Sequence, residues 1–385
     1  MVKVTEVNWN KVFSNEFIIS VSVIGGIGVG IFLAIFIFQC YHRNCFQKIR
    51  EIFIHGDYSS EKIRVLSYNL CLRAPLITNN GDDFKATRLE LFIKNVIDNY
   101  DIILLQDVIG AYNARRTHLI ECSAEVGLCY SHVSLTPILP CFLCDGGLMI
   151  LSRMPLLNRD QYVFKKSVFP DSLFSRGILY AKVHPNNTTT IHLFNTHLQP
   201  ISKDEKAKEV RRHQLDEVVK FIQKKTAKDN FPILVCGDFS VNALESTPGV
   251  VENVIVQSSE ASDDEKETLG KDIIKYVEEQ TDEYIQVINS LSLIGTVKDV
   301  MYSGLQRHPV TLGDTYFEGN TEMPLETVLT KPDDQYSKRC QDFIFTITRS
   351  KELEIVEPYV HTYDVADEEI QFLSSHYALS CSVKC

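Results

Sequence analysis

The sequence predicts an α/β fold in which two β-sheets pack face to face and helices lie outside them. Many short runs have the length of strands, and only a few segments show a helical period. Several of the runs also end abruptly in a polar or charged residue. The strand-like runs lie at 63–69, 101–105, 146–152, 178–183, 190–195, 233–236, 342–347 and 378–383.

Two segments have the spacing of amphipathic helices. In 85–100, apolar residues recur every three or four positions, and 206–225 repeats the pattern with Leu215, Val218, Val219 and Ile222. The first helical segment falls between two strand-like runs, which gives a strand–helix–strand unit. Helices are thus expected to cover the outer faces of the sheets.

Composition bounds the kinds of partner that the protein can have. The chain has 385 residues, and 50 acidic against 39 basic residues give a net charge of −11. Proteins that grip nucleic acid obtain much of their affinity from Lys and Arg on phosphates, so this balance argues against a nucleic-acid partner.

The domain organisation is predicted from one long apolar segment. Residues 17–38 are uncharged over 22 positions, enough at about 1.5 Å per residue to cross a hydrocarbon core of about 30 Å. We therefore expect an N-terminal flank at 1–16, a transmembrane helix at 17–38 and a juxtamembrane linker at 39–61. One large domain follows at 62–385, with an acidic insertion near 252–283.

Residues beside the apolar segment predict its orientation and pairing. Arg43, Lys48 and Arg50 follow it, a bias that favours a single-pass membrane protein with the large domain in the cytoplasm. Gly26 and Gly30 form a GxxxG face, through which a homodimer could assemble.

The polar residues at the strand ends form the candidate site. Carboxylate and amide oxygens suit Mg²⁺, and a His beside an Asp makes a general base. Each residue alone has a structural alternative: Asp238 and Asp342 could cap turns, and His197 could be a satisfied core histidine. Together the residues favour metal-assisted hydrolysis of a phosphate ester. They are Asn69, Asp107, His197, Asp238, Asp342 and His376.

Seven short segments resemble the endonuclease/exonuclease/phosphatase superfamily in order and spacing. They are YN at Tyr68, LLQD at Leu104, DGGLMILSRMPL at Asp145, THLQ at Thr196, CGDFSVN at Cys236, QDFIF at Gln341 and SSHYAL at Ser374. Within this similarity, QYVFKKSVFPDSLFSRGILYAKV at Gln161 resembles the neutral, Mg²⁺-dependent sphingomyelinases. The resemblance implies a four-layer α/β/β/α sandwich and cleavage of a membrane lipid, sphingomyelin, to ceramide and phosphocholine.

The resemblance also implies a role for each site residue. Asn69 and Asp107 would lie at the Mg²⁺ site. His376, oriented by Asp342, would be the base that activates water. His197 would donate to a phosphate oxygen, and Asp238 would orient the nucleophile or serve the leaving oxygen. Substrate binding is expected to involve His197 with two residues after Asp238, namely Ser240 and Asn242.

Three residues depart from the family pattern. Asp107 stands where a Glu is usual, Ser240 where an Asn is usual, and Ser375 where an Asp usually precedes the terminal His. Each change weakens the handling of metal or phosphate. Two hypotheses therefore remain: a sphingomyelin phosphodiesterase of reduced activity, or a degenerate family member that acts as a lipid-binding or scaffolding protein. A nuclease or phosphoinositide phosphatase on the same fold is a weaker third.

Overall fold

Two six-stranded sheets form the centre of the protein in a computed structural model, which describes residues 60–137, 142–202, 204–244, 281–365 and 369–385. The first sheet has the strand order β15-β16-β1-β2-β5-β3. In that order the strands are β15 (Glu354–His361), β16 (Ala378–Lys384), β1 (Lys62–Leu72), β2 (Ile102–Val108), β5 (Met149–Ser152) and β3 (Tyr130–Val133).

The second sheet has the order β11-β14-β10-β9-β8-β6. These strands are β11 (Thr296–Asp299), β14 (Asp342–Thr348), β10 (Ile233–Asp238), β9 (Ile191–His197), β8 (Gly177–Val183) and β6 (Leu157–Val163). Two small ribbons join β12 (Thr315–Glu318) to β13 (Thr321–Pro324), and β4 (Cys144–Asp145) to β7 (Phe174–Ser175).

Most helices of the described residues lie outside the sheets. The helices are α1 (Lys85–Asn95), α2 (Arg115–Glu125), α3 (Glu205–Lys225), α4 (Asp282–Ser292) and α5 (Val300–Leu305), with 3₁₀ turns at Ile97–Asn99, Asp171–Leu173 and Pro332–Asp334. Helix α5 adds Val300 and Met301 to the core between the sheets. Helix α3 begins where the Asp204 carboxylate accepts the Lys206 N–H at 2.9 Å. Such a cap contributes about 1 kcal/mol.

Two large cores hold these layers together among the described residues. Between the sheets, β1, β2 and β16 bury residues such as Val65, Leu104 and Leu379 against Leu193 and Leu234 of the second sheet. A second core joins the outer face of the second sheet to α3 and α4. It includes Phe194, Leu215, Val218, Ile222, Val287 and Phe345.

The predicted α/β/β/α sandwich is confirmed, and each strand-like run found in the sequence falls on a strand. The two helical segments correspond to α1 with the turn that follows it and to α3. The described residues of 60–135 and 142–385 belong to one compact unit.

The predicted membrane topology is corrected. Among the described residues, no helix combines the length and the apolar character that crossing a bilayer requires. This finding contradicts the single-pass membrane location expected from the sequence. The segments 1–16, 17–38 and 39–59 and the acidic part of the insertion at 252–280 lie outside the described residues.

Candidate active site

Strand pairing brings the polar strand ends to one edge of the sandwich. Asp238, at the end of β10, lies beside His197 of the parallel strand β9 and opposite Asp342 of the antiparallel strand β14. In the other sheet, Asn69 and Asp107 lie near the ends of the parallel strands β1 and β2. Two strand pairings thus place three of the predicted residues side by side in register.

The pair His376 and Asp342 has the geometry of an oriented base. The Nδ1–H of His376 donates to Asp342 Oδ2 at 2.9 Å, and both side chains are buried. Burial disfavours the charged imidazole, but the carboxylates of Asp342 and Asp238 outweigh it and raise the pKa of His376 to about 10. The hydrogen bond fixes the ring so that Nε2 faces away from Asp342.

Asp238 contacts four other residues of the cluster. Its Oδ2 accepts from Asn69 Nδ2 at 2.9 Å and lies 3.3 Å from His197 Nε2 and 4.0 Å from His376 Nε2. Its Oδ1 accepts from the backbone N–H and the hydroxyl of Ser240, at 2.7 and 3.0 Å. Ser240 therefore acts on the cluster by holding the Asp238 carboxylate in place.

His197 connects Asp238 to Asp107. Its Nδ1 lies 3.4 Å from Asp107 Oδ1 without the alignment of a hydrogen bond. Burial and the neighbouring guanidinium of Arg176 hold the pKa of His197 well below its ordinary value, although Asp238 opposes them. A buried imidazole that stays neutral can still donate one N–H to an oxyanion.

Asp107 departs from regular strand geometry and faces a cation. Its backbone has a φ of 55°, in the left-handed region. Arg176, which is buried, places Nη1 3.5 Å from Asp107 Oδ1 and Nη2 3.0 Å from Asp171 Oδ1. Burial alone would lower the pKa of Arg176, but Asp107, Asp171 and Asp238 raise it.

The donor set fits a hard divalent cation. Ligand atoms of Asp238, Asp342 and His376 lie within 4.8 Å of one another. Asp342 Oδ1 is buried and has no hydrogen-bond partner among the described residues. Carboxylate and amide oxygens are the ligands that Mg²⁺ prefers. Asn69 and Asp107 lie beside this group, where the Asn69 amide nitrogen donates to Asp238 and Asp107 lies 3.4 Å from His197.

One predicted site residue does not join the cluster. Asn242 donates to the Leu244 carbonyl at 2.6 Å and accepts from the Cys340 N–H at 3.0 Å, so its amide closes a loop beside β14. The structure brings together the other predicted residues, which are Asn69, Asp107, His197, Asp238, Ser240, Asp342 and His376.

Sequence reasoning missed Arg176 and Asp171 as parts of the site. Both lie in the segment that begins at Gln161, on which the resemblance to sphingomyelinases was noted. A basic residue between a turn and an apolar strand was the available signal. Arg176, however, leads into β8 of the second sheet and contacts an acid at the end of β2 in the first sheet.

Comparison with known proteins agrees with this geometry, although no family model matches the chain. A sphingomyelinase of Dictyostelium discoideum is 29% identical over 315 residues, which are 74% of this chain and 64% of that protein. Sphingomyelinase C of Bacillus cereus is 37% identical over 106 residues, 26% of this chain and 31% of that protein. The aligned part of the chain thus spans less than two thirds of the length of each of these relatives.

A solved structure matches most of the chain. Staphylococcus aureus beta toxin, in a mutant structure with bound magnesium ions, aligns with a TM-score of 0.56 and 18% identity. The alignment covers 83% of this chain and 99% of that one. At this identity the match supports the fold.

The two-sheet sandwich, in which a histidine bound by an aspartate lies among further acids at the strand ends, agrees with the resemblance to the endonuclease/exonuclease/phosphatase superfamily. The chain is similar in sequence to these sphingomyelinases.

Proposed function

We propose that this protein is a Mg²⁺-dependent phosphodiesterase that hydrolyses sphingomyelin to ceramide and phosphocholine. The observation that carries the proposal is the buried pair of His376 and Asp342, 2.9 Å apart, with Asp238 next to it. The sphingomyelinases among the relatives support the choice of substrate.

His376 would act as the general base. Its Nε2 takes a proton from water while the water oxygen attacks phosphorus. The bond from phosphorus to the ceramide oxygen breaks, and that oxygen takes up a proton from solvent to give ceramide. Asp342 keeps the ring in the required tautomer and stabilises the imidazolium that forms. An oriented base of this kind contributes about 10²–10⁴-fold in rate.

His197 and Arg176 would meet the charge that develops on the phosphate. His197 is neutral and buried, so one of its ring N–H groups can donate to a phosphate oxygen. Arg176 has a buried Nη1 that makes no hydrogen bond within the described residues. Asp238, held by Asn69 and Ser240, keeps His197 oriented from the other side.

Asn69 and Asp107 are proposed as the residues that hold Mg²⁺. When bound, the ion would neutralise phosphate charge, polarise the phosphoryl oxygen and offset the anionic field that raises the pKa of His376. Asp107 is one methylene shorter than the usual Glu and already faces Arg176. We therefore expect weaker metal binding than a Glu at this position would give.

Of the other two departures, Ser240 is partly compensated by its surroundings and Ser375 is not. The hydroxyl and N–H of Ser240 both bind Asp238, which replaces part of the work of an Asn amide. Ser375 places its hydroxyl 3.4 Å from the Cys71 sulfur and brings no charge to the site. The general base His376 and its partner Asp342 are intact, which favours an active enzyme over a scaffold.

The proposal is tested by phosphocholine release from sphingomyelin in detergent micelles, with Mg²⁺ titrated against a chelator. Asp107→Asn should raise the Mg²⁺ concentration for half-maximal rate by roughly 10- to 100-fold, because it removes a charged ligand. Asp101→Asn is the matched control. Asp101 precedes the other end of β2 and pairs with Arg64.

Phosphatidylcholine and a phosphoinositide in the same micelles separate a sphingomyelinase from related activities. Turnover that the chelator leaves unchanged would contradict the proposed Mg²⁺ dependence. Equal Mg²⁺ dependence in the Asp107 and Asp101 variants would remove Asp107 as a ligand. Absence of turnover on all three lipids at saturating Mg²⁺ would support the non-enzymatic alternative.

A further inference from the structure

A group of basic side chains lies beside the loop that follows β1, and the proposed reaction does not use it. Arg73 is in this loop, Lys85 begins α1, and Arg115 begins α2. We call Arg73, Lys85 and Arg115 the basic cluster. Arg73 and Lys85 meet at the buried carboxylate of Asp83, and Arg115 joins them through Arg73.

The contacts within the group are short. Lys85 Nζ lies 2.6 Å from Asp83 Oδ1, and Arg73 Nη2 lies 3.7 Å from Asp83 Oδ2. Arg115 Nη2 donates to the Arg73 carbonyl at 2.8 Å. Lys85 also donates to the Ile77 carbonyl at 3.0 Å.

Positive charge in this group exceeds negative charge. Asp83 pairs with Arg73 and Lys85, whereas Arg115 donates to the Arg73 carbonyl. The nearby Glu326 is taken up by its own loop, where it accepts from the N–H groups of Leu329 and Thr330. An excess of this kind is notable in a chain with a net charge of −11.

A fourth cation adds to the field without using an anion. Arg88 is fully buried, and its guanidinium donates to carbonyl oxygens of Leu70, Cys71, Asp83 and Leu373. Burial, with the charges of Arg115 and Arg73, lowers the pKa of Lys85 despite Asp83. Burial and Arg88 likewise lower the pKa of Arg115. Like charges held this close are costly unless an anion joins them.

The basic cluster also has hydrogen-bond donors that no described residue accepts. The Nε–H groups of Arg73 and Arg115 are buried and have no hydrogen-bond partner among the described residues. Side-chain accessibility is 18% for Arg73 and 8% for Lys85, so the group is reached from solvent at its rim. Guanidinium forks and an ammonium together suit a tetrahedral oxyanion.

We propose that Arg73, Lys85 and Arg115 bind a phosphate group at a site separate from the catalytic cluster. The hydrogen-bond and ion-pair partners of the three side chains are Asp83, Ile77, Asn79 and Arg73 itself, none of which belongs to the catalytic cluster. The site thus adds a function beyond the proposed hydrolysis.

Two sources could deliver the phosphate. One is free phosphate or a soluble monoester. The other is an anionic lipid headgroup, and the same loop carries Leu76, which is 99% exposed, next to Ile77, which is 39% exposed. An exposed aliphatic tip beside cations is the composition that inserts into an anionic lipid surface.

The first test measures thermal unfolding of the full chain in inorganic phosphate against sodium chloride of equal ionic strength. Phosphate should raise the midpoint of the native protein by about 2–5 °C. Arg115→Gln should lose this rise. Without phosphate its midpoint should equal or exceed the native value, because a like charge is gone.

A lipid arm separates the two sources and contains no sphingomyelin, so it does not depend on hydrolysis. Co-sedimentation is compared for vesicles of pure phosphatidylcholine and vesicles with added phosphatidic acid. If the ligand is a headgroup, the native protein binds the anionic vesicles at least fivefold better, and Arg73→Gln with Arg115→Gln loses this preference. If the ligand is free phosphate, the native protein shows no preference for anionic vesicles, and the variant loses only the thermal shift in phosphate.

Lys208→Gln with Arg212→Gln is the charge-matched control, since both side chains are exposed on α3. This control should keep the phosphate shift and the vesicle preference. The proposal is overturned if neither phosphate nor anionic vesicles act on the native protein, or if the control loses as much as the cluster variant. It is also overturned if Arg115→Gln lowers the midpoint and retains the phosphate shift.

Discussion

Two histidine–carboxylate pairs lie at opposite ends of the second sheet and have nearly the same length. His376 Nδ1 is 2.9 Å from Asp342 at one end, and His192 Nε2 is 2.7 Å from Asp229 at the other. Their pKa shifts have opposite directions. The pKa of His376 rises to about 10, whereas burial lowers that of His192.

The difference lies in what surrounds each carboxylate. Asp229 also binds Lys182 at 2.8 Å and lies 3.7 Å from Arg349, so its charge is shared among cations. Asp342 has a second oxygen with no hydrogen-bond partner among the described residues, and Asp238 lies next to its histidine. A His–Asp contact therefore indicates a base only where the anionic charge is left uncompensated.

The largest expected effect comes from removing each histidine in turn. His376→Ala should lower kcat for phosphocholine release by about 10³-fold, because the base is lost. His192→Ala should leave kcat within about threefold and lower the unfolding midpoint instead, since Asp229 and Tyr180 lose a buried partner. A comparable loss of kcat in both variants would break the distinction between the two ends.

The carboxylates give the next comparison. Asp342→Asn should lower kcat by about 10²-fold, because the amide no longer stabilises an imidazolium. Asp229→Asn should lower the free energy of unfolding by about 1–3 kcal/mol, since Lys182 and His192 lose a charged acceptor. Denaturant unfolding and initial rates on both variants check this. Wild-type turnover by Asp342→Asn would show that His376 needs no orienting charge.

A third buried carboxylate, that of Asp299, has a shifted pKa. Asp299 caps α5 and accepts from Tyr284 and from the Tyr302 N–H, and burial raises its pKa to about 6. The folded state therefore holds the proton more tightly than the unfolded state. The stabilisation that this bound proton contributes is fully present below about pH 4 and is lost as the pH rises through about 6.

Asp299→Asn abolishes this titration. Relative to wild type, its free energy of unfolding should rise by about 2 kcal/mol between pH 4 and pH 7. Urea unfolding at several pH values measures the difference. Asp216→Asn, on the exposed face of α3, serves as the control. A difference that does not change with pH would mean that burial leaves Asp299 unperturbed.

The smallest expected effect concerns the three departures at the catalytic end. Asp107→Glu, Ser240→Asn and Ser375→Asp together should raise the rate about tenfold, equivalent to about 1.4 kcal/mol of barrier. The longer ligand and the added charge favour a bound cation. Phosphocholine release over a Mg²⁺ titration checks this, and an unchanged rate and half-saturation would show that Ser240 and Arg176 already compensate.

Much of the fold was readable because buried strands leave an apolar run bounded by turns. The run at 233–236 and its partner at 342–347 were found this way, and both deliver a site residue. Strands with mixed exposure, such as β6 and β15, gave no such run. The β12–β13 ribbon and α2 likewise lacked a signal strong enough to predict.

The site was predictable where a polar residue ends a strand and hidden where contacts cross between sheets. Asn242 looked like a site residue because it shares a face with Ser240, but its amide closes a loop. Arg176 begins the turn into β8 and reaches an acid of the first sheet. Such a meeting depends on how the sheets stack, which the local pattern does not contain.

The register of β10 has a consequence for insertions and deletions. Its close approach to β9 requires Gly237, since a Cβ there would lie 2.0 Å from the Thr196 carbonyl oxygen. One residue added to β10 before Gly237 would put this glycine where the acid must stand, and one residue removed would put Phe239 there. Either change would turn the shifted side chains to the opposite layer. Length can therefore vary at the Gly319 turn of the hairpin, but not within the strands that assemble the reacting groups.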